Sequence, residues 1–337
     1  MKRTSFTLAV ALFAIVGLLS ASHLTRSARA QSDNAKSEGA GGPEIIKHRT
    51  NPRGVDSYSL TTGSTSPTSP ISYHGGPLIQ TPTVYMIWYG NWNQGNGSDT
   101  PAGQQIVRDF ASNIGGSPYF LINTSYSTGP YTITGSVLFR AGDFQTAGGN
   151  EATDSYSQGT RLRDAGILTI VNNAVNSGKL PYDANGVYFV LTSSDVNESS
   201  GFCSKYCGWH TAGTATTGHV RYAFVGNANR CLSACAAQTV SPNSNAGVDG
   251  MISVIAHELE EATTDPDPRS GWADSVGNEN ADKCAWTFGH FQQQLPSGAW
   301  YNITLGSRNF LIQRNLYHNL VGPNGLGDYC MMDAAHN

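Results

Sequence analysis

The sequence has few charged residues, no polybasic stretch and, after its N-terminal segment, no apolar run long enough to cross a bilayer. Charged residues make up 13% of the 337 residues, and the 24 acidic residues outnumber the 20 basic ones. These absences argue against nucleic acid or an anionic membrane surface as a partner. Internal repeats and linkers are also lacking after residue 70, so we predict one globular domain over residues 71–337.

The N-terminal segment reads as a secretory signal peptide over residues 1–30. Lys2 and Arg3 precede an apolar run from Phe6 to Leu19, and Ala28-Arg29-Ala30 provides a cleavage pattern. The run is too short for a convincing membrane span. Cleavage would remove four positive charges and no acidic residue, which changes the formal net charge from −4 to −8. We therefore predict an acidic protein that is secreted (extracellular or periplasmic) and has no membrane contact after cleavage.

The segment after the predicted cleavage site, residues 31–70, is rich in Ser, Thr, Gly, Pro and charged residues. It has few large apolar side chains, so it cannot bury enough surface to offset the entropy lost on ordering. We predict a flexible leader or propeptide.

The chain has six cysteines, an even number that favours three disulfides in an exported protein. The sequence does not select their connectivity, and the two pairs with three-residue spacing could instead form a structural zinc site. A bridge at Cys284 would hold the backbone close to Asp282. The cysteines are Cys203, Cys207, Cys231, Cys235, Cys284 and Cys330.

A polar cluster interrupts an otherwise apolar helical pattern near residue 257. The pattern predicts a helix with Asp249 as its N-cap and an end before Pro266. Its apolar face is formed by Met251, Ile252, Ile255, Leu259 and Ala262. The alternative interpretation is a solvated helix face that carries an incidental histidine.

The polar residues of this helix have the spacing of a metal motif. His257 and Glu261 are one turn apart on one face, and Glu258 lies beside them. This geometry is that of the helical HExxH zinc motif, with Glu261 in place of the second histidine and Glu258 as general base. Asp265, one turn further along, is a competing ligand.

A third metal ligand is expected further along the chain, as in the zincin peptidases. The segment Asn278-Glu279-Asn-Ala-Asp282 resembles the ligand segment of thermolysin-like zincins, with its Asp one residue early. By that analogy Glu279 would bind the metal, and Asp282 would orient His257 through its second ring nitrogen. Two glutamates and a neutral histidine would cancel the charge of Zn²⁺, so the bound water should be less acidic than in ordinary zinc peptidases. A harder divalent cation that prefers oxygen ligands is the alternative.

The remaining segments predict an α/β or α+β fold. Strands are expected at residues 82–89, 186–192 and 219–225, and helices at residues 101–114 and 159–176. This order is compatible with a zincin-like mixed sheet that has a backing helix and an active-site helix, followed by a disulfide-stabilised C-terminal lobe. His210 and His219 could reach the cleft as transition-state donors, although structural histidines are more common. The aromatic residues Trp88, Tyr89, Trp92 and Trp209 could line a cleft, but core packing is their default role.

With these segments identified, the chain resembles the EXORDIUM or phosphate-induced protein family. The resemblance covers most of residues 72–337 and implies an extracellular or wall-associated protein linked to growth and nutrient responses. It implies no particular catalytic mechanism. The matching passages are His74-Gly-Gly-Pro77, Val84–Asn91, Phe202–His210, Val225-Gly-Asn227, Cys231–Cys235, Gly247–Gly250, Ala256-His-Glu-Leu-x-Glu261, Glu279-x-x-Asp282-x-Cys284 and Tyr301-Asn302.

Two functions are compatible with these observations. The first is a secreted zincin-like metallohydrolase, most simply a peptidase, in which His257, Glu261 and Glu279 bind Zn²⁺ or another divalent cation, Glu258 activates the bound water and Asp282 orients His257. The second is a non-catalytic extracellular or cell-wall-associated binding or signalling protein. The expected partner is a peptide in the first case and cell-wall polysaccharide in the second. A fainter third possibility treats Glu258 and another carboxylate as a glycosidase pair.

Overall fold

The computed structural model describes residues 44–47, 70–289, 292–319 and 328–333. The predicted signal peptide and most of the predicted leader lie outside these ranges.

Five helices and sixteen strands occur within the described ranges. The helices are α1 (Pro101–Ile114), α2 (Phe144–Ala147), α3 (Asp164–Asn176), α4 (Leu232–Cys235) and α5 (Ala246–Thr264). The strands are β1 (Glu44–Lys47), β2 (Ser72–Tyr73), β3 (Thr83–Tyr89), β4 (Glu151–Asp154), β5 (Arg161–Leu162), β6 (Gly186–Thr192), β7 (Asn197–Glu198), β8 (Tyr206–Ala215), β9 (Gly218–Gly226), β10 (Trp272–Ala273), β11 (Gln293–Gln294), β12 (Trp300–Tyr301), β13 (Ile303–Leu305), β14 (Arg308–Phe310), β15 (Asn315–Tyr317) and β16 (Tyr329–Met331).

A mixed six-stranded sheet organises the fold, with the strand order β1-β8-β9-β6-β3-β4. Strands β9, β6, β3 and β4 run parallel, whereas β8 pairs antiparallel with β9 and β1 pairs antiparallel with β8. Every residue of β3 and β6 is buried. Their continuous apolar sequences are typical of strands covered on both faces. The mixed α/β fold class is thus confirmed, while the zincin-like arrangement stays a prediction.

Strand β8 is the main element that the sequence did not predict. Its residues include Gly208, Gly213 and His210 among several small side chains, so it lacks the β-branched and aromatic run that marks β3 and β6. Pairing with β9 over eight residue pairs determines its extended conformation. Within the predicted leader, β1 pairs with the other edge of β8, and Glu44 lies opposite His210.

The helices confirm two predictions and correct two boundaries. Helix α1 has the predicted bounds, and the Thr100 hydroxyl accepts a hydrogen bond from the Gly103 N–H at 3.0 Å as its N-cap. Helix α3 begins at Asp164, later than the predicted residue 159, because Arg161–Leu162 is extended and pairs with β7. Helix α5 begins at Ala246 with Asn245 as its N-cap, so the prediction that Asp249 caps this helix is wrong.

Helix α5 is the buried central helix of the domain. It ends at Thr264, just before Asp265 and Pro266, as predicted. Each residue from Gly247 to Thr264 is buried, because α5 packs against β8, β9 and α1. The alternative of a solvated polar face is therefore wrong.

Three disulfides connect all six cysteines, as predicted. Their connectivity is Cys203–Cys231, Cys207–Cys235 and Cys284–Cys330. The first two bridges join the start of β8 to the α4 region, so these four cysteines do not form the alternative zinc site. The third ties the loop after β10 to β16, in a C-terminal region built of short antiparallel pairs. Within the described ranges, none of the helices combines the length and apolar character needed to cross a bilayer.

Candidate metal centre

A cluster of ionisable side chains lies in the core between α5 and β8. Helix α5 contributes His257, Glu258 and Glu261, β8 contributes His210, and the loop after β10 contributes Glu279. The exposed fraction of each of these residues is at most 1%. Sequence analysis therefore identified four of the five, and it named His210 only as a candidate transition-state donor.

His210 is surrounded by carboxylates from three positions of the chain. Its Nδ1 atom lies 3.4 Å from Oε2 of Glu258 and 3.5 Å from Oε2 of Glu261. Its Nε2 atom lies 3.5 Å from Oε2 of Glu279 and 3.3 Å from the carbonyl oxygen of Asp265. These separations are longer than most strong hydrogen bonds between charged groups, which measure about 2.7–2.9 Å.

A glycine permits this close approach of β8 to α5. Gly208 lies two residues before His210 and therefore faces α5 from the same side of β8. A Cβ atom at Gly208 would stand 2.5 Å from Cγ1 of Val254 and 3.2 Å from Oε1 of Glu258. Any larger side chain would push α5 away from β8 and separate His210 from the glutamates.

His257 occupies the opposite side of Glu261. Its Nε2 atom lies 2.9 Å from Oε1 of Glu261 and 3.7 Å from Oδ1 of Asp282. The backbone N–H of Asp282 donates to the same Oε1 atom at 3.0 Å. The second ring nitrogen of His257 contacts Gln313 at 2.8 Å, so Gln313 rather than Asp282 occupies the orienting position that the sequence assigned to Asp282.

Two acidic residues near the cluster have other partners. Glu260 points away from it and accepts a hydrogen bond from Nδ2 of Asn315 at 2.6 Å. The carboxylate of Asp265, the alternative ligand, accepts the backbone N–H groups of Arg269, Ser270 and Gly271 at 2.6, 3.0 and 2.6 Å. Because three backbone N–H groups already donate hydrogen bonds to the carboxylate of Asp265, this residue is a poor candidate for the third metal ligand.

Burial and neighbouring charge set the protonation behaviour of the cluster. Burial alone would lower the pKa of His257, but the charge of Glu261 outweighs it and raises the pKa to about 9. Burial raises the pKa of Glu258 to about 7 against the opposing effect of His210. For Glu261, burial is outweighed by the charge of His257 and by the close contacts of both histidines with its carboxylate, which lower its pKa to about 2.

Two carboxylate atoms of the cluster have no donor among the described residues, namely Oε1 of Glu258 and Oε2 of Glu261. Buried polar atoms usually have a hydrogen-bond partner, so each such atom calls for an explanation. Two overlapping sets of three residues have ligand atoms within 4.8 Å of one another: His210 with Glu261 and Glu279, and His257 with Glu261 and Asp282. Chemically, either set could supply one imidazole and two carboxylates to a divalent cation.

The other candidate residues lie away from this cluster. His219 is on the surface, where Nε2 contacts Oδ1 of Asp267 at 2.8 Å. The aromatic residues proposed for a cleft are all buried in the core: Trp88, Tyr89, Trp92 and Trp209. Their default role in packing is therefore confirmed.

Comparison with known proteins places the chain in a family. The region described as "Phosphate-induced protein 1 conserved region" matches residues 71–314. "Protein EXORDIUM-like 3" of Arabidopsis thaliana is 33% identical over 299 residues, which cover 76% of this chain and 84% of that protein. "Protein EXORDIUM-like 5" of the same plant is 30% identical over 295 residues, covering 76% and 78%.

A tobacco relative and the solved structures complete the comparison. "Protein PHOSPHATE-INDUCED 1" of Nicotiana tabacum is 26% identical over 220 residues, which cover 58% of this chain and 65% of that protein. No solved structure matches the chain. The match to the conserved region covers well over half of the chain, and five of the six cysteines and the His-Glu segment lie inside it. The chain therefore belongs to the phosphate-induced protein family, which includes the EXORDIUM-like proteins.

Proposed function

We propose that this chain is a non-catalytic extracellular binding protein whose core contains a structural divalent metal ion. The observation that carries the proposal is the enclosure of the cluster, since His210, Glu258, Glu261 and Glu279 are each at most 1% exposed. Structural metal sites are closed, whereas a catalytic site keeps one position open for water and substrate. The three disulfides and the membership of the family are compatible with the extracellular location.

A cation at this position would offset a large electrostatic cost. Glu258, Glu261 and Glu279 approach one histidine inside the core, where carboxylates repel each other and lose their hydration. The desolvation penalty is several kcal/mol per buried ion (~5 kcal/mol) unless charge and hydrogen bonds compensate it. A divalent ion bound by these oxygens would supply charge of the required sign, including at the two carboxylate atoms of Glu258 and Glu261 that have no donor among the described residues.

A metal-dependent hydrolase is the second candidate, and one observation favours it. The carboxyl group of Glu258 lies beside His210, and its pKa of about 7 suits a general base that works near neutral pH. Such an enzyme would have to open the core between α5 and β8 to admit substrate. The names of these relatives refer to no hydrolytic activity.

The first prediction concerns metal content and hydrolysis. We expect the purified chain to retain about one divalent ion per molecule after dialysis, and a strong chelator to lower its melting temperature, because structural metal ions contribute binding free energy to folding. Elemental analysis and thermal unfolding measure both effects. A chain without stoichiometric metal would contradict the proposed metal. If the chain hydrolyses peptides in a metal-dependent reaction that is lost in Glu258→Gln, it is a metal-dependent hydrolase rather than a non-catalytic binding protein.

We propose that the partner binds at a polar groove beside the edge strand β4. This groove has a volume of about 610 Å³, and the buried residues Ile87 and Ala152 belong to its lining. Its walls carry hydroxyl and amide groups together with one acidic and one basic side chain, so it has no net charge. Such a lining matches a neutral ligand with many hydroxyl groups, and we propose an oligosaccharide. The wall residues are Thr153, Asp154, Ser155, Ser157, Asn173, Asn176, Ser177 and Lys179.

The second prediction tests this groove. We expect the double variant Asn173→Ala/Asn176→Ala to bind neutral oligosaccharides about 10-fold more weakly, because each lost hydrogen bond contributes about 0.5–1.5 kcal/mol. The matched control is Gln105→Ala, an exposed amide on α1 that does not line the groove. Titration of an oligosaccharide panel, with and without chelator, provides the measurement. Absence of binding across the panel, or equal binding by both variants, would refute the saccharide site, and binding of peptides instead would identify the other partner class.

A further inference from the structure

The two histidines of the cluster differ in what their ring nitrogens contact. His257 comes from α5 and His210 from β8, and both lie within hydrogen-bonding range of Glu261. A histidine binds a metal through a ring nitrogen that carries no proton, and its other nitrogen usually donates to an oxygen atom. The location of each ring proton therefore decides which histidine can be a ligand.

Gln313 determines the proton position on His257. The Nε2 atom of Gln313 donates to the carbonyl oxygen of Ala281 at 3.1 Å, and its Oε1 atom accepts from the backbone N–H of Trp286 at 3.5 Å. These contacts orient the amide, so its NH₂ group is the end that lies 2.8 Å from Nδ1 of His257. Nδ1 must then accept the hydrogen bond, and a neutral His257 carries its proton on Nε2.

The Nε2 atom of His257 lies on the side of the ring that faces Glu261. The separation between Nε2 and Oε1 of Glu261 is 2.9 Å, the length of an ordinary hydrogen bond. The backbone N–H of Asp282 donates to the same oxygen. Glu261 thus has one oxygen, Oε1, that accepts from the Asp282 N–H and lies close to His257, while the other, Oε2, faces His210 and has no donor among the described residues.

On His210, Nε2 rather than Nδ1 lies next to a hydrogen-bond partner outside the carboxylate cluster. The carbonyl oxygen of Asp265 lies 3.3 Å from its Nε2 atom and provides an acceptor for an Nε2–H group. Its Nδ1 atom faces the oxygens of Glu258 and Glu261 at 3.4 and 3.5 Å. Oε2 of Glu279 lies 3.5 Å from Nε2, and the ligand atoms of His210, Glu261 and Glu279 lie within 4.8 Å of one another. Two atoms bound to one metal ion at about 2.0–2.2 Å stand about 3.0–3.5 Å apart, so these distances fit neighbouring ligands.

We propose that His210, Glu261 and Glu279 bind the metal ion, with Glu258 next to them, and that His257 positions Glu261 without touching the metal. This inference rests on the proposed function, in which the core holds a divalent ion. It differs from the zinc-peptidase pattern because the imidazole ligand comes from a β-strand and the helix supplies carboxylate.

The charge and type of the ligands indicate which cations fit. A neutral imidazole and two carboxylates balance a divalent ion, and the oxygen-rich set suits Mn²⁺ as well as Zn²⁺. Mn²⁺ is a useful probe because it is paramagnetic. Its electron spin couples to the nitrogen nuclei of a bound imidazole, so pulsed paramagnetic resonance counts the bound histidines directly.

The third prediction is that the wild-type chain loaded with Mn²⁺ alone shows nitrogen coupling from one imidazole. This measurement needs no variant and therefore does not depend on the folding of a mutant. Couplings from two imidazoles, or from none, would overturn the assignment of the ligands. Failure of the wild-type chain to bind Mn²⁺ or Zn²⁺ at all would instead refute the proposed metal centre itself.

Variants distinguish the ligand from the positioning residue. We expect His210→Gln to remove the nitrogen coupling and to weaken Mn²⁺ binding by more than about 100-fold, beyond the usual range for residues that only orient a ligand. His257→Gln should retain the coupling and weaken binding by about 10–100-fold, as loss of an orienting partner does. The control is His318→Gln, a partly buried histidine that pairs with Asp328 outside the cluster. Loss of the coupling in His257→Gln with retention in His210→Gln would reverse the assignment.

Discussion

Glu261→Gln is expected to abolish metal binding and to lower the free energy of unfolding by about 3–5 kcal/mol, the range for breaking a buried charge pair. The reason is the central position of this carboxylate. Its Oε1 atom contacts Nε2 of His257 and the N–H of Asp282, and its Oε2 atom faces His210. The neutral amide removes the negative charge from both sides at once. Urea unfolding and metal analysis of the same preparation measure the two losses.

Glu260→Gln provides a control on the same turn of α5. Glu260 is as buried as Glu261, but its carboxyl group faces Asn315 rather than the cluster. Burial raises the pKa of Glu260 well above its usual range, so an uncharged side chain suits this position. We expect a change below about 1 kcal/mol and full metal content, because the amide oxygen can still accept from Asn315. If both variants lose equal stability and equal metal content, the effect of Glu261→Gln reflects a general sensitivity of α5 to substitution, and Glu261 loses its support as a ligand.

The double variant Cys284→Ser/Cys330→Ser should produce the second large effect. Its two cysteines are separated by 46 residues, and closing a loop of this length stabilises a protein by about 4 kcal/mol in the chain-entropy model. The bridge also holds the short helical turn Asp282–Cys284, which begins three residues after Glu279. We therefore expect weaker metal binding as well as a lower free energy of unfolding, measured by calorimetric titration and urea unfolding.

Removal of the Cys203–Cys231 bridge is the control that separates the loss of stability from the loss of metal affinity. That bridge joins residues 28 apart, so Cys203→Ser/Cys231→Ser should cost a similar free energy of about 3–4 kcal/mol. It does not hold the segment that carries Glu279. We expect its folded fraction to bind metal with nearly the affinity of the wild-type chain. The proposed role of the Cys284 bridge is untenable if both double variants lose metal affinity equally.

The sequence predicted the elements with strong local patterns. The bounds of β6 and α1 match the prediction and those of β3 differ by one residue, because strong local patterns of apolar residues mark all three elements. The start of α5 was misplaced, since Asn245 and Asp249 are both good capping residues and tertiary packing selects between them. Strand β8 was not predicted because its extended conformation depends on pairing with β9.

In the candidate site, too, some residues could be predicted from the sequence and others only from the structure. The helical spacing of His257, Glu258 and Glu261 and the resemblance of the Glu279 segment to a known ligand segment were visible in the sequence. The position of His210 among these carboxylates was not, because the order of strands in the sheet brings β8 against α5. The even number of cysteines likewise predicted three bridges, while the pairing required the folded chain.

The sequence by itself therefore determined the family, the mixed α/β class, the disulfide count and the chemical character of the α5 face. These properties depend on composition, on local periodicity and on the order of motifs along the chain. Only the tertiary structure decided that this face is closed to solvent and that a histidine from β8 completes it. Burial and long-range contacts depend on which elements pack together, and no local pattern in the sequence records that packing.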